Sequence, residues 1–197
     1  DQAALDEHFP KDIFPLLTPI AIDPVHPFPP VRNKSINVGV MFERSEYGNE
    51  PSFGLVQVPT SLPRMIRVPL ATARRAYVAL EDLILRHKAM IFPHLRIVGE
   101  YSFRVTRNFD IEIDDDEAED LLQTLQAELR KRERGNAVRL GVTGDAPEDS
   151  IAWLCREIEV DPKRDVYHVK GPLFLGDMTE LTSGDDRPDL RDVSYTP

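Results

Sequence analysis

The sequence has 197 residues, and its 34 acidic and 24 basic side chains leave a net charge of −10 when the histidines are neutral. This length fits one domain, and no apolar run approaches the ~20 residues that span a bilayer. The single cysteine, Cys155, excludes an intramolecular disulfide and a cysteine-based zinc site. It predicts a reducing, cytoplasmic setting. The acidic balance argues against a nucleic-acid-binding protein that depends on global positive charge.

Proline dominates residues 1–30 and predicts an irregular start to the chain. Residues 3–9 and 12–17 are expected to form short helical turns, broken at Pro10 and ended near Pro19, because proline lacks the N–H and clashes with the preceding turn. Residues 18–30 (TPIAIDPVHPFPP) cannot form a regular helix or a central strand. We expect them to be an extended, loop-like segment whose apolar side chains pack against the body.

The middle of the chain shows strand patterns followed by a helix. Residues 35–42 and 52–58 are compact apolar runs around a polar connection, which predicts a β-hairpin. Residues 65–68 and 77–79 are expected to add a third and a fourth strand. Residues 79–92 carry apolar side chains at helical spacing.

The second half alternates between strands and helices. Residues 101–113 predict a strand with one polar face. A helix capped by Asp114 or Asp115 is predicted to end at Gly135. A strand at 137–143, a helix ending near Ile158, a strand at 166–169 and a short helix within 171–181 follow. This order predicts an α+β fold with a mixed, largely antiparallel sheet and helices packed on it.

An acidic cluster spans the end of the predicted strand of residues 101–113 and the residues just after it, and two interpretations of it stay open. Its carboxylates could hold a divalent cation, but helix capping at a solvated strand end is favoured, since the glycine of an EF-hand loop is absent. The cluster consists of Asp110, Glu112, Asp114, Asp115, Asp116 and Glu117.

Motifs that carry autonomous chemistry are missing from the sequence. There is no GxSxG, no GxGxxG and no GxxxxGK[ST]. The five histidines, which show no metal-ligand spacing, are His8, His26, His87, His94 and His168. Cys155 lies within an apolar helical stripe and is predicted to be a buried free thiol. We therefore predict no catalytic, cofactor-binding or metal-binding residue in this chain.

A basic stretch between Arg64 and Arg107 is the feature with functional content. It holds nine Lys or Arg residues against Glu81, Asp82 and Glu100. Arginine suits phosphate because its planar fork makes two parallel hydrogen bonds. Arg104 and Arg107 could present such a surface at a strand end. The alternative is a solvated face whose bases pair with neighbouring acids.

Several segments resemble a known family in order and spacing. These segments are 14–29 (FPLLTPIAIDPVHPFP), 62–69 (LPRMIRVP), 78–85 (VALEDLIL), 101–110 (YSFRVTRNFD), 117–134 (EAEDLLQTLQAELRKRER) and 186–190 (DRPDL). They are similar to the bacterial polyphosphate kinase of the first class, and the likeness covers essentially the whole chain. It matches the middle, or head, domain of that family.

The resemblance implies an enzyme that reversibly transfers the terminal phosphate of ATP to inorganic polyphosphate. Its phosphorylated histidine, its arginines and its Mg²⁺ belong to C-terminal domains without a counterpart here, so no catalytic residue is carried over, and His26 is not the phosphohistidine. ATP and Mg²⁺ are expected for the full-length enzyme only. The head domain is implied to help form a homodimer or higher homo-oligomer and to help enclose the active-site tunnel.

The resemblance also implies a division of the chain. Residues 1–30 form a proline-rich helical segment of the same domain, 31–182 the α+β head domain, and 183–197 a linker toward a missing catalytic domain. The absence of an initiator methionine fits a piece of a longer protein. That protein is expected to be cytoplasmic. Peripheral association of the full-length enzyme with the inner membrane is the alternative location. We expect the chain to be a structural domain that is inactive alone. Two other functions stay open for it: an anion-binding module that holds polyphosphate without catalysis, and a small self-contained phosphotransferase.

Overall fold

The computed structural model describes residues 2–22, 28–43, 52–69, 75–108, 135–183 and 192. The predicted acidic cluster, the helix predicted after it, His26 and most of the predicted linker lie outside these residues. The fold centres on a six-stranded sheet in the order β1-β3-β2-β6-β7-β8. Its strands are β1 Pro19–Ile22, β2 Ile36–Phe42, β3 Phe53–Gln57, β6 Ile97–Arg107, β7 Ala137–Thr143 and β8 Val166–Val169.

The sheet is mixed and largely antiparallel, as predicted. Neighbouring strands run antiparallel except for β7 and β8, which are parallel. The parallel pair needs a crossover, and helix α4, Glu148–Ile158, supplies it. The β2–β3 pair confirms the predicted hairpin, with Val38 opposite Val56.

The proline-rich start differs from the prediction in two places. Pro10 does not interrupt the helical backbone. Helix α1, Gln2–His8, is followed directly by a π-helical turn, Phe9–Ile13, and then by a 3₁₀ turn, Phe14–Leu16. The wider turn accommodates Pro10 near its start, where the missing N–H is tolerated. Pro19–Ile22, predicted to be loop-like, forms β1 at the edge of the sheet, where proline is permitted.

The predicted third and fourth strands exist but do not join the main sheet. β4, Met65–Val68, and β5, Ala76–Ala79, form a separate two-stranded antiparallel sheet. The helix predicted over 79–92 is interrupted at His87, so that α2, Leu80–Arg86, and α3, Lys88–Ile91, are separate. His87 donates its backbone N–H to the carbonyls of Leu83 and Ile84, which ends the first helix.

The remaining elements follow the predicted order. β6 begins at Ile97, four residues earlier than expected, and the part of the predicted strand beyond Asn108 is outside the described residues. After β8, a 3₁₀ turn, Leu175–Thr179, leads into the short helix α5, Glu180–Ser183. Within the described residues, no helix has the length and apolar character needed to cross a membrane.

Two apolar clusters cover opposite faces of the sheet. One face, which we call the α2 face, packs β2 and β3 against α1, the π-helical turn, α2 and α3. The other, the α4 face, packs the odd-numbered residues Tyr101, Phe103 and Val105 of β6 against α4. Because side chains alternate along a strand, the even-numbered residues of β6 must lie on the α2 face. Cys155 is buried in the α4 cluster, as predicted.

Candidate anion-binding surface

On strands β6 to β8, the α2 face is polar rather than apolar. Arg104 of β6 lies opposite Gly141 of β7, and Gly141 lies beside Tyr167 of β8. Arg139, two residues before Gly141, pairs with Thr106. Since directly paired residues project to the same side of a sheet, these side chains share one face. We call Lys34, Arg104, Arg139, Tyr167 and Phe174 the arginine face.

Arg104 is held in place by one hydrogen bond and one aromatic ring. Its Nε donates to the carbonyl of Lys34 at 3.0 Å, and its guanidinium carbon lies 4.2 Å from the centre of the Phe174 ring. Burial lowers the pKa of Arg104; the charge of Asp177 opposes this effect, and those of Arg139 and Arg64 add to it. The pKa shift thus records partial burial in a neighbourhood that contains other cations.

Arg139 repeats this arrangement one strand away. Its guanidinium carbon lies 4.2 Å from the centre of the Tyr167 ring. Among the described residues, no hydrogen-bond acceptor or carboxylate contacts its guanidinium. Sequence reasoning missed Arg139, because it lies outside the basic stretch and only strand pairing brings it beside Arg104.

Arg107 has a different environment from Arg104. Its Nε donates to the carbonyl of Val31 at 3.3 Å, and its NH1 donates to that of Gly135 at 2.9 Å. Its backbone N–H donates to Oδ1 of Asn33. Burial lowers its pKa. Arg107 is three residues beyond Arg104, so strand alternation places the two on opposite faces, and Arg107 pairs with Ala137, which packs against the α4 cluster.

Arg64 is a buried member of the basic stretch, and acidic partners neutralise it. It pairs with Glu81 and with Asp177, and its NH1 also donates to the carbonyl of Phe174 at 2.7 Å. Burial alone lowers the pKa of Arg64, but hydrogen bonds and charges from Glu81 and Asp177 outweigh it and raise the pKa. This network ties the start of β4 to α2 and to the C-terminal 3₁₀ turn.

Other bases of the stretch are paired across the surface. Arg86 pairs with Asp6, Lys88 with Glu100, and Arg96 with Glu43. The stretch is therefore not one continuous positive patch, and the predicted pairing of bases with acids describes these members well. Arg104 differs because Asp177 contacts Arg64 and acts on Arg104 only through its charge.

A cleft beside Arg104 gives the arginine face some depth. It has a volume of about 280 Å³ and is lined by Lys34, Arg64, Arg104, Phe174, Asp177 and Glu180, together with residues around Val58. Glu180 accepts a hydrogen bond from the backbone N–H of Met65. Both acids of the cleft therefore have partners of their own.

The described histidines do not assemble a metal or catalytic site. His87 stacks on Phe9 with ring centres 4.0 Å apart, and its Nε2 lies 3.1 Å from Asp6. His8 contacts Asp12 on the surface. In the described ranges, no group of three or more His, Cys, Asp or Glu residues is placed to hold a metal ion. The acidic cluster falls outside those ranges.

Comparisons with known proteins agree with one another. Residues 1–181 match the family model described as polyphosphate kinase middle domain. The whole chain is 40% identical to the polyphosphate kinase of Prosthecochloris aestuarii and covers 28% of it. It is 37% identical to polyphosphate kinase 1 of Chlorobaculum tepidum, again over the whole chain and 29% of that protein. The chain thus spans less than a third of the length of these relatives.

A solved structure supports the fold. The crystal structure of polyphosphate kinase from Porphyromonas gingivalis matches all of this chain with a TM-score of 0.69 and 23% sequence identity. This chain covers 27% of that one. The similarity shows that the mixed sheet described above is the fold of a segment of that larger protein.

Proposed function

The chain belongs to the polyphosphate kinase middle-domain family, and from this premise we propose that it is the head domain of an enzyme that reversibly transfers the terminal phosphate of ATP to inorganic polyphosphate. The observation that carries the proposal is the match of residues 1–181 to the family model. The chain covers 28% of a relative named polyphosphate kinase, so the larger part of such an enzyme lies outside it.

The head domain has a structural role in this proposal. It contributes to a homodimer or higher homo-oligomer and helps enclose the active-site tunnel, while other domains supply the phosphorylated histidine and bind ATP and Mg²⁺. Phosphoryl transfer needs a phosphate clamp, a metal site and a positioned nucleophile. The chain is therefore inactive alone, and the complete enzyme acts in the cytoplasm. Residues 183–197 connect it to the catalytic part.

Contact with polyphosphate is the second element of the proposal. Arg104 and Arg107 lie toward the end of β6, and the NH1 and NH2 groups of Arg104 have no acceptor among the described residues. Arg107 donates to two carbonyls through Nε and NH1, and its NH2 group has no acceptor within the described part of the chain. Charge reversal of both arginines in the complete enzyme raises the polyphosphate concentration needed for half-maximal activity. Unchanged polymer kinetics would refute this contact.

One experiment separates the structural domain from an anion-binding module. The chain is incubated with ATP, Mg²⁺ and a polyphosphate primer, and its binding to labelled polyphosphate is measured in parallel. We expect no turnover. Turnover by the isolated chain would instead identify a self-contained phosphotransferase. Salt-sensitive binding without turnover supports a polyphosphate-holding module, and the absence of both leaves the structural role.

A further inference from the structure

Arg104 and Arg139 place two positive charges on one face of the sheet. Arg104 pairs with Gly141, and Arg139 precedes Gly141 by two residues on the same face. Such diagonal neighbours on adjacent strands have Cα atoms about 7–8 Å apart. The positive charge of Arg139 acts to lower the pKa of Arg104, so the two guanidinium groups repel each other.

Each of these arginines is held by an aromatic ring, and the ring leaves the NH1 and NH2 edge of Arg104 open while its Nε donates to Lys34. Phe174 stacks on Arg104 and Tyr167 on Arg139, each at 4.2 Å from ring centre to guanidinium carbon. An aromatic ring contacts the flat face of a guanidinium, whereas phosphate oxygens approach its N–H edge. Stacking therefore restricts the side chain without occupying the donors that make bidentate bonds to phosphate.

The charge of Asp177 acts on Arg104, but among the described residues no carboxylate contacts either guanidinium. Asp177, the acid whose charge reaches Arg104, pairs with Arg64 at 2.9 Å. Glu180 accepts the backbone N–H of Met65. Within the described part of the chain, neither Arg104 nor Arg139 has a carboxylate partner, whereas Arg86, Lys88 and Arg96 do. Two like charges on one face, neither in direct contact with a carboxylate, are stabilised by a bound anion.

Gly141, which separates Arg104 from Tyr167 on this face, is buried beneath the Leu173 side chain. Gly141 lies between Arg104 and Tyr167 in the same row across β6, β7 and β8. A Cβ there would meet only the Arg104 carbonyl and the Leu173 side chain, both at 3.9 Å. Lys34 borders the same face, and the Lys34 carbonyl accepts a hydrogen bond from Nε of Arg104. An anionic chain can reach this face along Arg139 and Tyr167, which are exposed, and reaches Arg104 where that residue is half-buried.

We propose that Arg104 and Arg139 form a two-arginine site for consecutive phosphoryl groups of linear inorganic polyphosphate, with Lys34 at its margin. The site rests on the proposed function for the identity of its ligand and extends it to Arg139, which lies outside the Arg64–Arg107 stretch. Tyr167 and Phe174 are positioning residues that hold the two guanidinium groups.

The test uses the complete enzyme that carries this chain, with Arg104→Gln, Arg139→Gln and the double variant. Arg156→Gln is the matched control, because Arg156 is an exposed arginine on α4, which covers the opposite face of the sheet. The dissociation constant for fluorescently labelled linear polyphosphate is measured over a range of salt concentrations. Each substitution on the arginine face is expected to weaken binding about tenfold. It also lowers the slope of log affinity against log salt by about one.

Two further variants separate charge from folding. Arg139→Lys keeps the charge but loses the fork and is expected to bind between wild type and Arg139→Gln. Tyr167→Leu keeps both arginines and is expected to weaken binding several-fold, with the melting temperature and the KM for ATP unchanged. An exposed position such as Arg139 tolerates substitution, so the binding result does not depend on a folding defect.

The outcomes distinguish this site from the function on which it rests. If the wild-type enzyme makes polyphosphate and Arg139→Gln binds it like the Arg156→Gln control, the site is refuted and the proposed function stands. If the wild-type enzyme neither makes nor binds polyphosphate, the proposed function itself fails. If an unlabelled oligonucleotide displaces the polymer more effectively than unlabelled polyphosphate does, the ligand assigned to the site is wrong.

Discussion

The Arg64 guanidinium and the Glu81 carboxylate form an ion pair that is almost closed to water, with side-chain exposures of 7% and 5%. Nε of Arg64 lies 3.1 and 3.2 Å from the two Glu81 oxygens. The pair joins residues 17 positions apart in sequence. Through Asp177, the same guanidinium also holds the segment after β8 against α2.

Removing one member of this pair is expected to destabilise the fold. Glu81→Ala leaves the Arg64 charge buried and only partly compensated, which costs about 3–5 kcal/mol. The free energy of unfolding from urea denaturation measures the loss. Glu43→Ala is the matched control because it breaks the exposed pair with Arg96, and it is expected to cost at most about 1 kcal/mol. Equal losses in the two variants would contradict the prediction.

Cys155 is expected to react slowly with thiol reagents. Burial raises the pKa of its thiol, and the negative charges of Asp161 and Asp165 raise it further. A raised pKa reduces the thiolate fraction at any given pH, so the reaction at pH 7–8 is slower than that of a free thiol and accelerates as the pH rises. Because the chain has one cysteine, a colorimetric thiol assay reports this position alone.

Denaturant supplies the control for the cysteine measurement. In urea above the unfolding midpoint, Cys155 is expected to react at the rate of a small-molecule thiol, because both its burial and its acidic neighbours are lost. A reaction that is equally fast in native and unfolded protein would show that the thiol is accessible in the folded state.

Gly39 is required by the close approach of Tyr101 from the neighbouring strand. A Cβ at position 39 would lie 2.4 Å from Cζ of the Tyr101 ring. Tyr101 is 1% exposed and packs in the α4 cluster, so it has little room to move. Gly39→Ala is expected to cost about 1–3 kcal/mol of unfolding free energy through overpacking.

Gly144→Ala is the comparison for Gly39→Ala. A Cβ at position 144 would meet the nearest atoms at 3.6 Å and 3.7 Å, which is ordinary van der Waals contact. Thermal unfolding of both variants is expected to show a clear fall in melting temperature for Gly39→Ala and a small change for Gly144→Ala. The reverse order would show that Tyr101 yields to the added methyl group.

Trp153 reports how the segment around Phe28 packs on the α4 face. Its ring stacks on Phe53 with centres 4.0 Å apart and meets the edge of Phe28 at 5.3 Å. Phe28→Ala is expected to shift the tryptophan emission to longer wavelength and to increase quenching by iodide, because water reaches the indole. Phe14→Ala serves as the control, since Phe14 packs with the α2 cluster on the opposite side. A similar spectral shift in both variants would contradict the assignment.

Local patterns in the sequence were sufficient to predict four features: the α+β class, the β2–β3 hairpin, helix α4 and the burial of Cys155. Alternating or helical spacing of apolar residues reports which face of an element is buried, and this depends only on neighbours along the chain. The same patterns also identified Arg104 as a candidate. They did not show that Arg107 donates to backbone carbonyls, because those carbonyls belong to distant residues.

The tertiary structure decided which elements become neighbours. β1 joins the edge of the sheet, β4 and β5 form a separate pair, and Arg139 lies beside Arg104. Arg64 meets Asp177 across 113 positions of sequence. Strand order and long-range ion pairs depend on how the whole chain buries its apolar surface, so spacing within one segment does not encode them. The arginine face therefore exists only once β6, β7 and β8 are paired.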